Sequence, residues 1–367
     1  TIGNDAFSDT EFEGDLLIEE NVTFLGRGAF EDCMKFTGRL TLPSSLTTFN
    51  AYPFSNCKFT GTLTLPHGIT SLPNYLFANN RFTGDLNIVA NIESIGINCF
   101  RNIDTFTGRL IFESGSRLQT INADAFRECS FVGNLELPSQ LQMIESNAFF
   151  QCSGFTGDLN IPSNVQRIGY QAFLGCSGFN GQLTLPSSLQ SIGGSAFSGC
   201  SNLKGNLIIP SSITIIENQT FSSIGCDGEL TIPSSVTFIG DRAFQFSKLK
   251  GTLTLPESLT TIGNDAFSDT EFSSTLNLPN NLIIINRGAF ENDQGFVGDL
   301  TLNHNLKILE SNSFKNCTGF NGQLTIQENI EVIGKNAFML TQFKSIEYSG
   351  NKDIPNCTDL GFDDIHI

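Results

Sequence analysis

The stretch SLQSIGGSAFSGCSNLKGNLIIP, from Ser188 to Pro210, decides the fold. It carries an apolar pair three residues apart, Leu189 and Ile192, then Ala196-Phe197, Cys200, Leu203 and Gly205, and it ends on the run Leu207-Ile208-Ile209 closed by Pro210. The same order returns on both sides of it. A Phe equivalent to Phe197 stands at 7, 30, 54, 77, 100, 126, 149, 173, 221, 244, 267, 290, 314 and 338, at intervals of 23 or 24 residues, with a single interval of 26 between Phe100 and Phe126. A unit this short cannot bury both of its faces and must stack on its neighbours.

The columns of the repeat follow from packing. Five or six residues after most anchor Phe stands a second aromatic, such as Phe36, Phe59, Phe82, Phe106 and Phe131, replaced by Leu203 and Leu249 in two copies and by Cys226 in a third. Stacked inside a coil, the two columns form a core spine that removes apolar surface from water. Two residues further on, Gly occupies 13 of 15 copies, with Ser274 and Ser345 as exceptions, which predicts a tight bend or a close approach of backbones. Leu-x-Leu-Pro then alternates inward and outward residues as a strand does, and Pro stops the ladder because it has no N–H to donate. The expectation is a right-handed curved solenoid of about 15 repeats, with a parallel β-sheet and with short turns or helical turns around Ala-Phe.

The unit Leu-x-x-Ile-Gly-x-x-Ala-Phe-x-x-Cys-x-x-Phe/Leu, followed by Leu-x-Leu-Pro, resembles the BspA-type leucine-rich repeat, also called the Treponema pallidum type. The resemblance runs from Thr1 to about Ile346. It implies a leucine-rich-repeat solenoid with the Leu-x-Leu strands on the concave face. It also implies a surface or secreted protein of a host-associated bacterium or a protist, engaged in adhesion and host-protein binding. The added Gly in Phe-x-Gly-x-Leu-x-Leu-Pro departs from the commoner Leu-x-x-Ile-x-Ile-Pro of that family. Residues 1–347 read as repeats and 348–367 as a capping segment over the last Phe layer. Thr1 to Phe12 repeats Thr261 to Phe272 letter for letter, so the chain is expected to begin part-way through a longer protein.

Charge and motifs exclude several functions. Twenty Lys and Arg against 37 Asp and Glu give a net charge of −17, which repels a phosphate backbone, so nucleic acid is not an expected partner. No run approaches 18 uninterrupted apolar residues, and Thr1 to Glu13 carries four carboxylates where a leader would be basic, so no membrane insertion by this segment is expected. The sequence has no GxSxG, HExxH, P-loop or GxGxxG, and His67, His304 and His366 are scattered over different coils or the tail. The chain is read as non-enzymatic, with no cofactor and no metal. The carboxylates Glu11, Glu13, Asp15, Glu19 and Glu20 lack the order of a calcium loop and read as a solvated acidic edge.

Seven of the ten Cys fall three residues after an anchor: Cys33, Cys57, Cys129, Cys152, Cys176, Cys200 and Cys317. Thr10, Asn80, Ser247, Thr270 and Asp293 fill the same column elsewhere, so the position reads as a buried ladder of free thiols and small polar groups meeting a turn backbone. Disulfides between neighbouring coils are the rival reading. The sequons at Asn21, Asn218, Asn316 and Asn356 would carry N-linked glycans only in a eukaryotic secretory route.

Folding fixes the inward Leu and leaves the outward strand residues free. Arg39, Thr41, Thr64, Asp85, Asn87, Arg109, Asp158, Asn160 and Thr184 are therefore the candidate protein-binding residues. Their short side chains, with charges that change along one column, suit a host or cell-surface protein or a glycan better than a small-molecule pocket. Exchanging these charges is expected to leave folding nearly untouched. The rival reading is a structural protein that assembles end to end through a Phe-rich N-terminal end.

Overall fold

The structure, a computed structural model, describes residues 1–350. They fall into two compact units, Thr1–Leu189 and Gln190 onward. The proposed cap lies almost wholly outside the described residues. Every strand pairing is parallel and joins one coil to the next, as a solenoid requires.

Most coils contribute two strand positions, though the Leu63-x-Leu65 and Leu135-x-Leu137 segments form no strand. One is the expected Leu-x-Leu, as in Leu40–Thr41 and Leu86–Ile88. The other lies at the Ile that precedes the Ala-Phe turn. There one ladder runs through Leu72, Ile95, Ile121, Ile144 and Ile168 in the first unit, apart from a separate pair at Leu25 and Phe49, and another runs through Ile216, Ile239, Ile262, Ile285, Leu309 and Ile333 in the second. All these residues are buried, and each partner strand repeats the same register.

Anchor and second-column Phe rings form the core. Within each unit successive anchors stack nearly face to face, as Phe30 on Phe54 at 5.7 Å and Phe244 on Phe267 at 5.2 Å. Second-column rings meet the anchors edge-on, as Phe131 meets Phe126 at 6.1 Å and 74°. Edge-to-face and offset stacking are the favoured aromatic geometries.

The helical turns allowed by the sequence do not form: among the described residues there is no helix. Two residues before and two residues after every anchor the backbone is left-handed, for example at Asn98 and Asn102 around Phe100 (φ 55° and 57°) and at Asp265 and Asp269 around Phe267 (52° and 58°). An α-helix does not admit such residues. The N–H groups at these positions and at the anchor donate instead to the next coil, as Asn98 to the Ala123 carbonyl, Phe100 to Ala125 and Asn102 to Arg127. Each left-handed non-Gly residue costs about 1 kcal/mol, and the coil-to-coil hydrogen bonds offset it.

Candidate functional site

The outward strand columns rest on a repeated backbone clamp. In the coil of Gly84-Asp85, Gly84 is left-handed at φ 76° and Asp85 Oδ1 accepts the Arg109 N–H of the following coil at 2.7 Å. The Gly84 carbonyl accepts the Gly108 N–H at 3.1 Å, and the Gly84 N–H donates to Thr107 Oγ1 at 3.3 Å. The same Asx-to-backbone bond runs from Arg39 to Asp15, Gln182 to Asp158, Glu229 to Asn206 and Gln323 to Asp299, at 2.7 to 2.9 Å. Each of these five bonds accompanies a paired Leu-x-Leu strand, from Leu16 with Leu40 to Leu300 with Leu324.

The Gly column therefore has two causes. Gly14, Gly84, Gly157, Gly205 and Gly298 supply the left-handed backbone. Gly38, Gly108, Gly181, Gly228 and Gly322 in the following coils have no room for a Cβ, which would strike the Asx carboxyl or amide oxygen and the backbone beside it.

The nine sequence-predicted residues are all exposed on the strand side. Thr41, Thr64, Asn160 and Thr184 have no structural task there, whereas three others are partly committed to the scaffold. Asp85 and Asp158 each spend one oxygen on the clamp, which corrects the expectation that their charges can be exchanged without touching the fold. Asn87 donates through Nδ2 to Glu113 Oε1 at 2.9 Å. Arg39 and Arg109 offer their backbone N–H to the clamp and keep the guanidinium outside, with no ion pair among the described residues.

Other predicted groups are absorbed into the scaffold. Glu11 pairs with Lys35, Asp15 holds the Arg39 N–H, and Glu20 accepts the Ser44 N–H and hydroxyl. Among the described residues no group of three His, Cys, Asp or Glu is placed to hold a metal ion. His67 and His304 are exposed and far apart in sequence, and His366 lies outside the described residues. Asn21 and Asn218 are exposed, Asn316 donates its Nδ2 to Asn292 Oδ1 at 3.0 Å, and Asn356 lies outside the described residues.

The Cys column is a hydrogen-bond ladder. Cys57, Cys129, Cys152, Cys176 and Cys317 are buried and donate Sγ–H to the anchor carbonyl of the preceding coil at 2.9 to 3.1 Å. Burial pushes the Cys129 and Cys317 thiols up and keeps them protonated as donors. Asn80 fills the same place and donates to the Phe54 carbonyl at 2.8 Å. Asp293, also fully buried there, accepts the Thr270 N–H and hydroxyl on Oδ1 and leaves Oδ2 without a partner.

The BspA type leucine-rich repeat region model, in six copies, matches residues 1–130, 109–227, 150–273 and 251–358. The chain belongs to the BspA-type leucine-rich repeat family. Among solved structures, a leucine-rich repeat protein from Bacteroides ovatus is 21% identical, with a TM-score of 0.55 over 91% of this chain and 84% of that one. That likeness shows the fold. A leucine-rich cell surface protein from Faecalibacterium prausnitzii is 17% identical (TM-score 0.42, covering 80% and 88%), and the pneumococcal vaccine antigen PcpA is 18% identical (TM-score 0.39, covering 96% and 82%). No curated protein matches the chain.

In this BspA-type solenoid the feature sequence reading missed is the clamp. Its signal was present as Gly-Asp or Gly-Asn in one coil followed by Gly in the next.

Proposed function

We propose that the protein is a non-enzymatic interaction protein, secreted or held at a cell surface, that binds a host or neighbouring-cell protein through the outward columns of its Leu-x-Leu strands. The observation that carries this reading is the division within the strands: inward positions are Leu or Ile and mostly buried, while outward positions are mostly exposed and vary between Arg, Asp, Asn, Gln and Thr. Family membership supports it. The residues proposed to meet the partner are Arg39, Thr41, Thr64, Asn87, Arg109, Asn160 and Thr184, together with the free oxygens of Asp85 and Asp158. Most interface residues contribute little singly, so charge changes at Arg39 and Arg109 have to be combined to be read clearly. The test is binding of the labelled chain to a cultured cell layer, compared between wild type and the pair Arg39→Glu with Arg109→Glu.

A second reading, end-to-end assembly, rests on the repeat itself, since a parallel ladder of like coils can accept a further coil at its edge. Light scattering at high concentration separates the two: a monodisperse monomer removes assembly, and a ladder of oligomers supports it.

A further inference from the structure

We propose that the first unit carries a saccharide-binding trough on its strand side, where the repeat is interrupted between Arg109 and Gln140, and that its ligand is a neutral oligosaccharide. This goes beyond the broad protein-binding face and does not rest on it. The interruption is the 26-residue interval. In the coil of Leu110–Phe112 the usual Pro is Glu113, and the link from there to the next buried Leu, Leu118, is two residues longer than in the coil of Pro43 and Leu46.

The base of the longer loop is pinned. Glu113 donates its N–H to the Ile88 carbonyl, Oε1 accepts Asn87 Nδ2 at 2.9 Å, and Oε2 accepts the Ala90 N–H at 3.0 Å. The carboxylate is thus spent on the preceding coil. Toward the following coil the loop stands clear, and two adjoining clefts of about 330 and 310 Å³ open there, sharing Phe112 and Glu136 in their walls. Leu110–Phe112 pairs backward with Leu86–Ile88, while the next coil's Gly133–Asn134 pairs forward with Phe155–Thr156, so no ladder closes the clefts.

An extended peptide does not enter this gap as an added strand. Below it the cores stay in contact, Phe106 on Phe131 at 4.4 Å and Phe100 on Phe126 at 5.4 Å between ring centres. An inserted strand needs about 4.8 Å on each of its sides. The ligand must therefore lie on the trough and be read by side chains.

The side chains present suit a sugar. Half-buried Phe112 and Ile111 offer apolar surface to the C–H face of a pyranose ring. Around them the Arg109 guanidinium donates, the Glu136 carboxylate accepts, and the Asn134 amide and Ser139 hydroxyl do both. Hydroxyl groups that are each donor and acceptor fit that alternation. The lining sets one cation, Arg109, against two carboxylates, Glu113 and Glu136, and this excess of negative charge disfavours an anionic ligand and favours a neutral one.

An array of neutral and sialylated oligosaccharides probed with the full chain, followed by calorimetric titration of the strongest neutral binder, tests the proposal. A neutral glycan should bind, and Arg109→Ala, Glu136→Gln and Phe112→Leu should each weaken it at least tenfold while Lys335→Ala, on the turn edge of the second unit, leaves it unchanged. Circular dichroism melts of the variants separate lost folding from lost contacts, and loss of binding only together with folding overturns the proposal. So does an array with no neutral glycan bound, one with sialylated glycans alone, or a titration unaffected by all three variants. A silent array leaves the protein-binding reading standing, because that reading is measured on cells with residues outside the trough as well.

Discussion

Asp85 Oδ1 holds the backbone N–H of Arg109 at 2.7 Å across one coil boundary, and the strands of the two residues pair in register. One side-chain oxygen thereby couples the binding face to the ladder beneath it. The same coupling recurs at Asp158 with Gln182 and at Asn206 with Glu229, so carboxylate and amide serve equally.

Asp85→Ala should destabilise the chain by about 1 to 2 kcal/mol, because the Arg109 N–H loses its acceptor, while Asp85→Asn should cost less than half of that. Urea unfolding of the two variants checks the order. Equal losses would mean that the negative charge, and not the acceptor geometry, matters.

Gly84 and Gly108 should respond differently to the same change. Gly84→Ala forces a Cβ onto a backbone at φ 76° and meets only the end of the Thr62 side chain, which can turn away, so it should cost about 1 kcal/mol. Gly108→Ala drives its Cβ against Asp85 Oδ1 and the Asp85 and Gly84 backbone and should cost about 3 kcal/mol. A reversed order in thermal melts would contradict the two causes given for the Gly column.

Much of the fold was legible because buried Phe, Leu and Ile cannot vary. The period, the parallel strands and the core columns all follow from those residues. The turn was not legible in the same way. Its left-handed positions hold Asn98, Asn102 and Asp124, which favour that conformation, but also Tyr52, Gln171 and Phe246, which do not. No single copy announces the turn, and coil-to-coil hydrogen bonds impose it. The binding face was legible as exposed columns, while the double duty of Asp85 and Asp158 required the neighbouring coil to be in view.

Phe173 is fully buried and stacks on Phe149 at 5.2 Å. Phe173→Ala should cost about 3 to 5 kcal/mol, since neighbouring coils are tied by their own hydrogen bonds and do not collapse into the cavity. A loss below about 1 kcal/mol in denaturant unfolding would contradict the spine.

Burial raises the Asp293 carboxyl well above its ordinary 3.8, although its bonds from Thr270 pull the other way. Unfolded chains release this proton near 3.8 and the native chain keeps it, so the native state binds more protons above that pH. Stability from this group is full below about pH 4 and falls as pH rises toward the native pKa. Asp293→Asn preserves the acceptor for Thr270 and supplies a donor, as Asn80 does in its own coil. It should stabilise the chain by about 1 to 3 kcal/mol at pH 7, with the gain shrinking toward pH 4. Urea midpoints of both proteins from pH 4 to 8 check this, and a constant difference would contradict it.

The division of labour between scaffold and face is tested most directly by one paired comparison of binding isotherms on a cultured cell layer. The strand-face variant Arg39→Glu with Arg109→Glu is set against the turn-edge variant Arg242→Glu with Lys335→Glu, each with its melting temperature recorded. Exposed substitutions shift stability by about 0.5 kcal/mol or less, so both variants should melt close to wild type. The account predicts at least a tenfold loss of binding for the strand-face variant and wild-type binding for the turn-edge variant. Equal losses in both, or no loss in the strand-face variant, would contradict it.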